Sequence, residues 1–131
     1  MLKKNILSLV VAGFFSVTSY FSQTVFVTGN KSVCIWNDYQ NEYQDCKNQA
    51  GGSIFTIDDD LKILTQKGDV DMMWVLELAD QTDEYISFSA LGDDLYEYIF
   101  IVDLDDRQLK FLVNDIDNVG HLFIYDIISK K

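Results

Sequence analysis

Tyr85-Ile86-Ser87-Phe88-Ser89-Ala90-Leu91, residues 85–91, alternates apolar with small polar side chains from Ile86 to Ala90. Ile86, Phe88 and Ala90 fall on one side and Ser87 and Ser89 on the other, a period of two that suits a half-buried strand and not a helix. The stretch before it repeats the pattern. In Asp71 to Leu78 one face is Met72, Trp74, Leu76 and Leu78, and the other carries Asp71 and Glu77. Farther on, Gln108 to Val113 alternates Leu109, Phe111 and Val113 with Gln108 and Lys110. Clusters of Asp, Asn and Gly separate the runs, and these are the residues that close tight turns.

Toward the N-terminus, Ser53 to Ile57 and Leu61 to Gln66 flank Asp58-Asp59-Asp60. Thr24 to Thr28 and Ser32 to Trp36 are separated by Gly29-Asn30-Lys31, which has the composition of a hairpin turn. Two runs are apolar on both faces. Leu95 to Val102 sets Tyr96, Tyr98, Phe100 and Val102 against Leu95, Ile99 and Ile101; Leu122 to Ile128 sets Phe123, Tyr125 and Ile127 against Leu122, Ile124 and Ile128. Such strands need cover on both faces. The segment between Trp36 and Ala50 is one source of cover, and a partner chain or ligand is another.

These readings predict an all-β domain over residues 23–131, an antiparallel meander of about eight or nine short strands. Strands joined in sequence order by short turns stabilise themselves by closing into a small barrel or strongly curved sheet, with a two-layer sandwich as the alternative. Residues 36–48 admit two readings. A short helix around 38–48 would place Tyr39, Tyr43 and Cys46 on one stripe, ending at Gly51-Gly52. A hairpin centred near Gln40 would set Cys34 opposite Cys46 and Trp36 opposite Gln44, and the β-branched and aromatic flanks favour it.

The first residues read as an export signal. Lys3 and Lys4 precede an apolar run from Ile6 to Val17, too short for a comfortable membrane span, and cleavage after Ser22 is preferred to cleavage after Ser19. Residues 1–22 are therefore expected to be a signal peptide, and the mature protein to be periplasmic or extracellular without membrane insertion. In such a compartment the two cysteines pair, Cys34 with Cys46.

The whole chain carries a net charge of −11 at pH 7, and the part after residue 22 carries −13, with eight Lys and Arg against 21 Asp and Glu. That field repels phosphate backbones and anionic lipid, which leaves cations and basic proteins as the better partners. In an up-and-down meander alternate turns share an end. Asp58, Asp59, Asp60, Asp80, Asp83, Glu84, Asp103, Asp105 and Asp106 are then expected at one rim, and Asp69, Asp71, Asp93, Asp94, Asp115 and Asp117 at the other.

Solvated turn acids are the leading reading of these carboxylates. Calcium at Asp103, Asp105 and Asp106, or at Asp115 and Asp117, is the secondary one. Val119 and the missing closing Glu depart from the known calcium loop, and no other cofactor is implied.

Trp36, Trp74, Phe88, Tyr98, Phe100 and Phe123 are candidates to line an apolar ligand site, or simply to fill the core. In length and meander the chain resembles lipocalin-like carriers architecturally. It lacks their early Gly-x-Trp signature, since Trp36 follows Cys34-Ile35. No Ser or Cys nucleophile stands in a catalytic context near His121, and no pair of acids is singled out for hydrolysis. The leading expectation is a non-enzymatic exported module that binds a protein. A carrier of a small apolar ligand and an accessory subunit of a cell-envelope assembly are the alternatives, with oligomeric state open.

Overall fold

Alternation becomes register in the structure, a computed structural model that describes residues 23–130. The expected signal segment, residues 1–22, lies outside the described residues. Nine strands follow in order: β1 (Gln23–Asn37), β2 (Glu42–Gln49), β3 (Ser53–Asp58), β4 (Ile63–Gly68), β5 (Met72–Gln81), β6 (Tyr85–Gly92), β7 (Glu97–Asp103), β8 (Gln108–Asn114) and β9 (Gly120–Lys130). All pairings are antiparallel, in the order β2-β1-β3-β4-β5-β6-β7-β8-β9, and β9 pairs back onto β1. Eight strands thus close a barrel, and β2 is an extra strand on β1. The two-layer sandwich is ruled out.

An eight-stranded barrel leaves an interior just wide enough for side chains. Here aromatic rings fill much of it. Phe88 faces Phe100 across β6–β7, and Phe100 faces Phe111 across β7–β8. Their ring centroids lie 5.7 and 4.8 Å apart, and Trp74 stands 4.9 Å from Phe111. Phe55 packs edge-on to Tyr125 at 4.9 Å. Each fully buried Phe contributes up to about 3 kcal/mol of transfer free energy, so this cluster is the main source of barrel stability.

The hairpin turn expected at Gly29-Asn30-Lys31 is absent, because β1 runs through it unbroken. Thr28 pairs with Ile127 and Lys31 with Tyr125, so three steps on β1 match two on β9. The extra residue is a bulge, and it lets both Thr28 and Lys31 face inward. Beyond it β1 exchanges β3 for β2 as its neighbour. Two backbones nearly touch at this crossing. A Cβ on Gly52 would lie 2.6 Å from the Thr28 carbonyl oxygen, and one on Gly68 (φ 144°) would lie 2.6 Å from the Gly52 carbonyl oxygen. Only glycine fits both positions.

Residues 38–48 form no helix. β2 returns along β1 as the hairpin, but with Trp36 opposite Tyr43 and Ile35 opposite Gln44, one residue from the expected register. The difference is a bulge between Val33 and Ile35, with Asp45 in left-handed conformation at φ 56°. The Asn37 side-chain oxygen accepts from the N–H groups of Tyr39 and Gln40, which fixes the turn. Leu95 and Tyr96, expected in a strand, belong to the β6–β7 turn, where Leu95 has φ 72°. β2 pairs with β1 alone and gives no cover to the outer face of β7.

Candidate functional site

The acids sit on two rims, as a closed up-and-down barrel requires. The turn after β7 holds Asp105 and Asp106, and the loop after β8 holds Asp115 and Asp117, so the two candidate calcium groups stand at opposite ends of β8. With roughly 3.3 Å per residue, that separation is on the order of 20 Å, and one ion cannot bridge them. Asp103 accepts from the Asp106 N–H at 2.9 Å and from Lys110 Nζ at 3.1 Å. Burial works against its charge, but these donors hold its carboxyl below the usual range. Asp115 accepts from the N–H groups of Asp117 and Val119 and faces His121 Nε2 at 2.9 Å. The contact with His121 contributes most to holding its carboxyl low. Asp58, Asp59 and Asp60 approach one another at the first rim, and Asp58 Oδ1 accepts from the N–H groups of Lys62 and Ile63. Asp58, Asp103 and Asp115 thus each accept backbone N–H groups of their own turns.

The six aromatic candidates do not share one site. Trp74, Phe88 and Phe100 are buried in the ring cluster. Tyr98 and Phe123 pack against it from the second rim, where they are partly exposed. Tyr98 donates to Asp94 Oδ2 at 2.6 Å, and burial together with that carboxylate pushes its phenol well up. Trp36 lies on the hairpin, edge-on to Tyr43 at 5.0 Å.

A polar network closes the barrel at the second rim, near Gly52 and Gly68. Lys31 Nζ donates to Asp69 Oδ2 at 2.8 Å, and Ser53 Oγ donates to Asp69 Oδ1 at 2.6 Å. Gln66 Nε2 stands 3.1 Å from Ser53 Oγ and 3.2 Å from the Tyr125 hydroxyl. Burial disfavours the charge on both Lys31 and Asp69. Their mutual contact outweighs it, so the lysine is held above and the aspartate below its ordinary pKa. Sequence reading gave Lys31 no role, because its place depends on the bulge.

Beyond this plug, the ends of β2, β1 and β9 form a flap. Val33 faces Lys47 and Phe123, and Ile35 faces Gln44 and His121, so these residues share the face that continues the barrel interior. An open groove of about 480 Å³ follows that face, lined by Val33, Ile35, Asp45, Cys46, Lys47, Gln49 and His121. The expected disulfide joins Cys34, buried on β1, to Cys46 on the groove wall.

The outer wall supplies the second surface. Ile63 faces Val75, which faces Leu91, and one diagonal step away Ile99 faces Leu112, which faces Leu122. At the centre of this row Val75, Leu91 and Ile99 are 57, 47 and 51% exposed. The two-faced pattern of residues 95–102 and 122–128 pointed to part of the row. Val75 was missed because only one face of 71–78 was read as apolar, although Met73 and Val75 alternate on the other.

Comparison with protein-family models, with curated proteins and with solved structures gave no match to this chain.

Proposed function

We propose that this chain is an exported, non-enzymatic binding module that docks a basic protein partner on the outer wall of its barrel. The observation that carries the reading is the apolar row Ile63–Val75–Leu91–Ile99–Leu112–Leu122, open at its centre. Contiguous exposed apolar surface on a soluble barrel is a mark of interaction. Acidic turns flank the row at both rims, so a partner with an apolar patch between basic groups complements it in charge as well as in polarity. A second copy of the chain fits poorly, since each exported copy brings a net charge of −13 over residues 23–131.

Lys67, Glu77, Glu97, Lys110 and Asp126 also face outward, and they speak against a lipid-facing wall. The Cys34–Cys46 bond supports an oxidising compartment, periplasmic or extracellular. The tightly stacked rings of the core favour protein binding over a carrier of small apolar ligands. The charge disfavours nucleic acid.

Native mass spectrometry of the exported protein, purified gently from its source cells, tests the proposal. A basic chain that co-purifies, dissociates as salt rises and is lost from a Val75→Ser, Leu91→Ser, Ile99→Ser variant is the expected result. A bare monomer overturns it, and a retained small molecule favours the carrier.

A further inference from the structure

We propose that the Cys34–Cys46 disulfide is a thiol-exchange site, attacked at Cys46, and that its opening releases β2 and bares the edge of β1 over residues 31–37. The bond is asymmetric in exposure. Cys34 is 1% exposed on β1, whereas Cys46 is exposed on the wall of the groove. A thiolate must reach the sulfur it attacks, and only the Cys46 end is open to it.

The groove also presents Lys47 and His121 beside Asp45, and the lysine ammonium offsets that carboxylate for an incoming thiolate. Apart from the disulfide, β2 is held by its ladder to β1, the Ser32–Asn48 and Asn37–Gln44 hydrogen bonds and the Trp36–Tyr43 contact, all at or near the surface. None of its eight residues is buried, and only Tyr43 and Gln44 are half-buried. β2 is an edge strand, paired with β1 alone and burying no face, so the covalent bond adds much to what keeps it in place. β1 itself stays in the barrel, because β9 pairs with its opposite edge from Phe26 to Ile35.

The step balances as ordinary exchange with a dithiol. Its thiolate bonds to Cys46 Sγ, the disulfide breaks, and the electron pair leaves on Cys34 Sγ, which takes a proton from water. The dithiol's second thiolate then displaces Cys46 as a thiolate and closes its own disulfide. Two electrons pass from the dithiol to the cysteine pair. The segment exposed, Lys31-Ser32-Val33-Cys34-Ile35-Trp36-Asn37, is the kind of apolar, β-branched edge that accepts an added strand.

Two measurements on the folded full chain test this. In the first, the protein is treated with reduced glutathione, quenched in acid and mapped by mass. The adduct is expected on Cys46 in at least about tenfold excess over Cys34. An equal split, an adduct on Cys34, or no adduct without denaturant overturns the assignment.

In the second, amide hydrogen exchange is compared with and without dithiothreitol. Residues 31–37 and 42–49 are expected to exchange at least about tenfold faster when reduced, while β6 to β8 are unchanged. Unaltered protection of β2, or loss of protection throughout the barrel, overturns the release. A Cys34→Ser, Cys46→Ser variant is expected to show the reduced pattern with no reagent, and failure of that variant to fold also overturns it.

Discussion

β7 and β2 are opposites within one sheet. β7 has seven residues in a clean alternation, with Phe100 and Val102 buried and Ile99 left open outside. β2 has eight residues and buries none of them. The first strand is kept by what it removes from water, the second by what it is bonded to. The barrel and the flap are therefore two stability regimes, although one strand, β1, belongs to both.

The sharpest way to break this comparison is in the ring cluster. Phe100→Ala removes a fully buried ring between Phe88 and Phe111, and a loss of about 3–5 kcal/mol is expected in urea unfolding. A loss no greater than a surface change would show that the barrel does not rest on its rings. Asp69→Asn comes next. It leaves the Lys31 ammonium without its counter-charge at the mouth, and about 1–3 kcal/mol should be lost in the same assay.

Acid tests the same contact without mutation. Asp69 and Asp103 are held below their ordinary 3.8. Their stabilisation is therefore fully present above that value and is lost as pH falls through their folded pKa values. Stability measured by circular dichroism should fall below pH 3.8, and Asp69→Asn should flatten part of that fall.

Tyr43→Ala removes the edge-on partner of Trp36, an effect of about 0.5–1.5 kcal/mol. It should appear in the exchange of residues 42–49 and leave the global unfolding midpoint in place. The smallest change in stability belongs to the outer wall. Val75→Ser, Leu91→Ser and Ile99→Ser should each shift unfolding by no more than about 0.5 kcal/mol, while the three combined remove the proposed partner. A larger loss would mean that these side chains serve the fold.

The barrel was legible because burial on one face writes itself as alternation. Residues 85–91 and 108–113 needed nothing but period two, and the acidic turns between runs gave the order of the meander. The hairpin was legible through the β-branched and aromatic residues that flank it. What escaped was set by backbone events that leave little trace in composition. Gly29-Asn30-Lys31 has the look of a turn and is a bulge, because β9 pairs with β1 on both sides of it. The extra residue near Asp45 shifts Trp36 to Tyr43. The plug of Lys31, Ser53, Gln66, Asp69 and Tyr125 draws on four distant places in the chain, which meet only once the barrel has closed.

The bulge at residues 29–30 acts as a phase shifter between two messages written on one strand. Before it, even-numbered residues such as Phe26 and Thr28 point inward; after it, Lys31, Val33 and Ile35 do. Trimming one residue there would invert the flap relative to the barrel, carrying Lys31 off Asp69 and the groove lining to the opposite side.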